Sequence, residues 1–397
     1  MRSNYKPLGK YISLVEERNI KLEDLPLMGL SVSKVFFPTI ANLVGTDMST
    51  YKIVSKNQFT YIADTSRRGD KIAIALSEDF DKMLVSQAYT PFEVKDTEKL
   101  LPEYLMMWFR RPEFDRYARF MSHGSAREIF GWDEMCNTLL PVPSPAKQKE
   151  IVKEYNTIIN RINLNKQLIQ KLEETAQAIY KHWFVDFEFP DEDEKPYKSS
   201  GGEMVESELG EIPKGWEVGT LKDVLNYSNN RISVSKLNLD TYISTENMKQ
   251  NRGGIYQAAN LPSASTVTKF DIGEILISNI RPYFKKIWMA DFTGGCSNDV
   301  LCFTPKKDIS SMFIYYILEK DIFFDYVMAG SKGTKMPRGE KNWILKYPVV
   351  IPENSILKNF TKLTTKSFSM ATGLKKENKF LESFSELLLS KLATIEK

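Results

Sequence analysis

The sequence predicts an α+β protein built twice: two mixed α/β globules, each trailed by one long helix. Three observations carry that prediction. From Lys147 to Phe184 the chain has neither Gly nor Pro, and it places Ile151, Tyr155, Ile158, Ile162, Asn165, Ile169, Leu172, Ala176, Ile179 and Trp183 at alternating steps of four and three. Sustained a/d spacing of this kind is the seam of a coiled-coil helix, here with one polar position, Asn165. Adding 209 to those positions gives Phe360, Thr364, Ser367, Ala371, Leu374, Asn378, Leu381, Ser385, Leu388 and Leu392, a poorer seam that is still mostly apolar or small. The same offset aligns PEYLMMWFRRPEFDRY from Pro102 with SMFIYYILEKDIFFDY from Ser311, HGSAREIF from His123 with KGTKMPRG from Lys332, and LLPVP from Leu139 with PVVIP from Pro348. A period of this size means duplication of a domain, not the short repeat of a solenoid.

Within each half the elements follow one order. YKIVSKNQFTYIADTSRRGDKIAIAL, from Tyr51, pairs two alternating runs around Ser66-Arg67-Arg68-Gly69-Asp70, and DIGEILISNIRPYFKKIWMADF, from Asp271, does the same around Arg281-Pro282. A helix follows in each half, then a Gly-containing basic loop, a last strand and the long helix. Pro141, Pro143 and Pro145 keep the first long helix from starting earlier. The predicted division is 1–145 for the first globule, 146–185 for the first long helix, 186–211 for an acidic linker, 212–353 for the second globule and 354–397 for the second long helix.

The bulk composition narrows the class. A chain of 397 residues with 42% hydrophobic and 26% charged residues has the make-up of a soluble globular protein of more than one domain. Its N-terminus lacks the apolar core of a signal peptide, and no run reaches the roughly 18 uncharged apolar residues of a spanning helix. Cys136, Cys296 and Cys302 lack CxxC spacing and only His123 and His182 could assist them, so a reducing cytoplasm, no membrane and no structural metal are expected. From Asp186 to Lys214 ten acids oppose three lysines; with a net charge of +3 overall, the remainder of the chain carries +10. A basic body of that kind suits a polyanionic partner.

Catalytic patterns are missing or misplaced. Pro190-Asp191 followed by Asp193-Glu194-Lys195 mimics a nuclease metal site, but real sites bring such halves together from separate strands, whereas these residues stand side by side in the acidic stretch. No Gly-rich turn after a buried strand and no Asn/Asp-Pro-Pro-Tyr loop supports methyl transfer, and no Gly-Lys-Ser/Thr phosphate loop supports ATP hydrolysis. What the sequence does supply is binding equipment, placed twice in register. His123, Gly124, Ser125 and Arg127 answer to Lys332, Gly333, Thr334 and Met336, with Lys335 and Arg338 adding charge. Arg67, Arg68 and Lys71 in one half, and Asn279, Arg281, Tyr283 and Lys285 in the other, are candidates for the same surface. Short side chains with Gly let a backbone approach phosphates, while Arg and Lys fork onto guanine edges or pair with phosphate. The set points to contact with DNA over ordinary solvated loop charge.

The ordered run of HGSAREIF leading to LLPVPSPAKQKEI, the helix end KLEETAQAIYKHWFVDFEFP, the re-entry LGEIPKGWEVGTLKDV, the strand YISTENM and the closing LLLSKL resembles the specificity subunit of type I restriction-modification enzymes over nearly the whole chain. The resemblance implies a non-catalytic subunit with two target recognition domains, each reading one half of a bipartite asymmetric site on double-stranded DNA. It implies that the two long helices pack antiparallel as a ruler and dock two methyltransferase subunits, with restriction subunits joining later. S-adenosylmethionine, Mg and ATP would then belong to those partners and not to this chain. Ile151, Ile158, Ile162, Ile169, Leu172, Ile179, Trp183, Leu374, Leu381, Leu388 and Leu392 would line the helix pairing. A helix from Ile151 to Phe184 is about 50 Å long at 1.5 Å per residue, against about 34 to 36 Å for one duplex turn. Two alternatives stand beside this: the recognition part of a nuclease-methyltransferase, and an autonomous sequence-specific DNA-binding protein or coiled-coil adaptor.

Overall fold

The computed structural model describes residues 5–39, 45–66, 69, 71–124 and 128–394. They form two compact units, Met1–Asn165 with Glu377–Lys397, and Lys166–Lys376.

In the first unit, strand Tyr5–Pro7 pairs antiparallel with Leu139–Pro141. A four-stranded antiparallel sheet runs in the order Ile12–Leu14, Thr90–Val94, Phe59–Tyr61, Ile74–Leu76. The predicted hairpin is thus Phe59–Tyr61 with Ile74–Leu76 around the basic turn, while Lys52–Ser55 pairs with Lys82–Val85 instead. Helices α1 (Pro102–Phe109), α2 (Pro112–Phe120) and α3 (Trp132–Asn137) follow, α1 and α2 each starting on a proline, whose missing N–H costs nothing in a first turn. Helix α1 buries seven of its eight residues. Its Phe109 meets the stacked pair Phe59–Phe92, 4.9 Å between rings, edge-on. Each fully buried side chain of this size contributes about 1.5–3 kcal/mol. The first long helix, α4 (Pro145–Phe184), begins in this unit and continues into the second.

In the second unit, Glu217–Thr220 pairs antiparallel with Pro348–Ile351, and the short helix α5 (Leu221–Val224) is opened by a Thr220–Asp223 capping box. The equivalent sheet runs Leu225–Tyr227, Val300–Pro305, Ile275–Ser278, Ile287–Met289, again antiparallel throughout. A second sheet joins Arg231–Ser233, Thr266–Phe270, Gly294–Cys296 and Tyr242–Ile243, the last pair parallel. Helices α6 (Ser311–Leu318), α7 (Asp321–Ala329) and α8 (Lys341–Leu345) precede the second long helix, α9 (Asn354–Lys391). Helices α1, α2, α3 and α4 each begin 209 residues before α6, α7, α8 and α9, so the duplication read in the sequence holds at one offset for the helices.

The two long helices pair antiparallel on the predicted seam. In the first unit Tyr155, Ile158, Ile162 and Asn165 of α4, and Asn378 and Ser385 of α9, are buried. In the second, Ile169, Ala371 and Leu374 form one cluster with Leu172, and the Trp183 ring lies 6.1 Å from that of Phe360. Ile151, Ile179, Leu381 and Leu388 are half-buried, and Leu392 is buried. The seam tolerates hydroxyls because Thr364 donates to Phe360 O at 2.9 Å and Ser385 to Glu382 O at 2.8 Å within their own helix.

The stretch from Asp186 to Glu211 departs from its description as a linker, because it is folded onto the second unit. Phe189 is buried between Tyr197 and Trp216, with ring separations of 4.6 and 5.0 Å, and Met204–Val205 pairs with Ile212–Pro213. Three aromatics, Phe187, Phe189 and Tyr197, anchor a segment whose charge disguises them. The nuclease-like run is a local turn: Asp191 Oδ1 accepts from the backbone N–H groups of Asp193 and Lys195, both at 2.9 Å.

Candidate nucleic-acid interface

The paired loops that the sequence placed in register are built alike. In the first unit His123 and Ile129 exchange both backbone hydrogen bonds, at 3.1 and 2.9 Å. In the second, Lys332 and Arg338 exchange both at 3.0 Å. The aligned glycines Gly124 and Gly333 have φ of 133° and 94°, a backbone region where a side chain is strained. Each loop is then stitched to the neighbouring hairpin. Thr65 N donates to Glu128 O and Phe130 N to Ala63 O, both at 2.9 Å; Arg281 N donates to Pro337 O at 2.8 Å and Gly339 N to Asn279 O at 3.3 Å. The segments flanking the hairpin turn and the glycine loop are therefore joined in each unit, with Thr65 and Arg281 in equivalent places.

Of the candidate contacts, Arg67, Arg68, Ser125 and Arg127 lie outside the described residues. Lys71, His123, Gly124, Lys332, Thr334, Lys335, Arg338 and Tyr283 are exposed. His123 Nε2 stands 3.8 Å from Glu134 Oε1, and Arg338 pairs with Asp299 at 3.2 Å. Arg281 is half-buried with φ 51°, its Nε without a hydrogen-bond partner, and its guanidinium lies 5.9 Å from the Phe284 ring centre. The half-buried Asn279 likewise has a partnerless Oδ1. Polar atoms buried and unpaired at a surface loop are groups a ligand can satisfy. Lys285 is different: half-buried at φ 50°, it pairs with Asp321 at 2.9 Å and so is engaged within the protein.

Four further residues hold these loops and were not read from the sequence. In the first unit the buried Lys34 ammonium donates to Phe109 O and, at 2.7 Å, to Asp115 Oδ1, which also accepts from Ile72 N at 3.2 Å. Burial pushes the Lys34 ammonium below its usual range, and Asp115 opposes that shift. In the second unit Arg252 Nε donates to Glu319 O at 2.6 Å and its Nη2 pairs with Asp321. Hydrogen bonds from Lys285 and then Arg252 hold the Asp321 carboxyl below the usual carboxylate range. Each contact joins segments far apart in the chain, so no local pattern announces it.

The family described as the type I restriction modification DNA specificity domain matches residues 34–174 and 213–377. The type I restriction enzyme MjaIX specificity subunit of Methanocaldococcus jannaschii is 24% identical over 312 residues, covering 74% of this chain and 68% of that protein. The EcoDI specificity subunit of Escherichia coli is 22% identical over 319 residues, covering 74% and 69%. The crystal structure of a type I restriction-modification system S subunit from M. genitalium has the same fold, with a TM-score of 0.61 at 13% identity over 99% of this chain and 96% of that one. With both halves matched by the family, the chain belongs to the type I restriction-modification DNA specificity family, whose members contribute DNA sequence recognition and not catalysis.

Proposed function

We propose that each unit reads one half of a bipartite, asymmetric DNA site, and that the paired long helices set the spacing between the halves while docking two methyltransferase subunits. One observation carries this reading: the same stitched pair of loops recurs in both units on the same sheet and helix framework, the glycine loop 209 residues on and the hairpin turn 216 residues on, with different side chains. Equal frameworks with unequal loops suit two different half-sites. Exposed Lys332, Lys335 and His123 would contact phosphates and set position, while Arg281, Tyr283 and Arg338, with Arg127 and Thr334, would face base edges. Restriction subunits would join the same assembly. S-adenosylmethionine would bind the methyltransferase subunits, and Mg and ATP the partners that translocate and cleave.

The test is co-expression with the cognate methyltransferase followed by footprinting on duplex DNA. The proposal expects a complex that protects two short blocks separated by a fixed gap, with only weak or non-specific binding by the chain alone. Tight, specific binding without the partner would favour an autonomous DNA-binding protein instead.

A further inference from the structure

Lys34 and Arg252 are both basic residues at hairpin tips in the left-handed backbone region, at φ 64° and 60°. Lys34 lies in the turn between strands Met28–Leu30 and Phe36–Pro38, closed by Ser31 N to Val35 O at 3.1 Å. Arg252 lies in the turn between bridged Met248 and Ile255, closed by Lys249 N to Gly254 O at 2.8 Å. The duplication does not relate them, since the register that aligns the helices puts Ile243 opposite Lys34.

Their side chains nonetheless end in the same setting. Lys34 reaches Phe109 O at the end of α1 and Asp115 in α2; Arg252 reaches Glu319 O just past the end of α6 and Asp321 in the first turn of α7. Removing the 209-residue offset places Asp321 level with Pro112, three residues before Asp115 and so on the same helix face. Each carboxylate also grips the loop beside it. Asp115 takes Ile72 N, which follows Lys71, and Asp321 takes Lys285 Nζ, while Lys285 O accepts from Arg252 N at 2.9 Å. Unaligned segments have arrived at one arrangement: hairpin-tip cation, helix-end carbonyl, helix carboxylate, loop.

We propose that these two clamps are positioning devices for the DNA-facing loops, Lys34–Asp115 in the first unit and Arg252–Asp321 in the second, each controlling base discrimination at one half-site without touching DNA. The inference rests on the half-site reading above. Base readout by forked hydrogen bonds demands placement within about 0.5 Å, which a turn such as Arg281–Lys285 needs an anchor to hold. Lys285 belongs to that anchor and not to the DNA contacts. The two clamps differ in exposure. Lys34 and Asp115 side chains are 6% and 11% exposed, Arg252 and Asp321 29% and 63%. Salt therefore screens the second clamp and spares the first.

Because Asp321 is exposed, Asp321→Asn removes the clamp's charge without touching the core. The full chain, assembled with its methyltransferase subunits, is supplied with S-adenosylmethionine and a randomised duplex library, and methylated molecules are sequenced across a sodium chloride series. Wild type is expected to select a bipartite motif whose second-unit half broadens first as salt rises. D321N is expected to lose discrimination about tenfold or more at one or more positions in that half, with the other half unchanged and the melting temperature retained, and D321E to regain most of it. A D321N motif identical to wild type, or broadened equally in both halves, overturns the clamp while leaving the half-site reading intact. A wild-type motif without two halves overturns both.

Discussion

Asn165 Nδ2 donates to Asn378 Oδ1 at 2.9 Å, with both amides buried in the helix seam. A polar pair at such a position fixes register and orientation at some cost in stability. Replacing one asparagine, as in N165L or N378L, strands the other amide and is expected to destabilise by about 1–3 kcal/mol. The double variant N165L/N378L is expected to match or exceed wild-type stability. Thermal unfolding of the three variants checks this; a double variant less stable than either single one would contradict it. Arg161–Glu377, exposed beside the pair, serves as a control expected to change stability by less than about 1 kcal/mol.

Arg281 combines a left-handed backbone with a side chain lacking a partner at Nε. Its loss is expected to weaken DNA binding by about 1–3 kcal/mol and to relax preference at a single base position, if the contact is a forked one. Arg281→Gly suits the backbone where Arg281→Ala strains it, so the two variants separate loop geometry from side-chain contact. Equal loss of discrimination in both identifies the guanidinium as the reader. Uniform weakening across all bases would mark a phosphate contact.

The Lys34–Asp115 pair is buried, so removing one partner leaves a charge without a counterpart. Asp115→Ala is expected to destabilise by about 3–5 kcal/mol. Denaturant unfolding followed by fluorescence of the first unit's Trp108 and Trp132 would report this. A loss below about 1 kcal/mol would mean the pair contributes no more than an exposed one.

Lengthening the helix pair tests the ruler. One heptad added to α4 after Asn165, matched by one added to α9 before Glu377, extends the pair by about 10 Å. That is about three base pairs at roughly 3.4 Å each. The spacer of the methylated motif is expected to lengthen with both half-site sequences unchanged. Altered half-site bases would contradict the division of labour between loops and helices.

What was legible follows from range. Heptad spacing and a constant 209-residue offset survive in local sequence, so both long helices, their seam and the equivalence of the His123 and Lys332 loops could be read directly. Three features could not. Phe187, Phe189 and Tyr197 fold the acidic stretch down, but their neighbours' charge dominates its composition. Lys52–Ser55 pairs with Lys82–Val85 across the intervening hairpin, a choice that alternation alone does not make. The Lys34 and Arg252 clamps join hairpin tips to helices out of register, where neither periodicity nor duplication points.

The most direct measurement is single-molecule methylome sequencing of cells with and without this chain, in the presence of its methyltransferase. The account predicts that the chain brings with it methylation at one asymmetric motif of two short blocks separated by a fixed gap, and that its removal abolishes that mark alone. An unchanged methylome, or a motif with a single uninterrupted block, would contradict it.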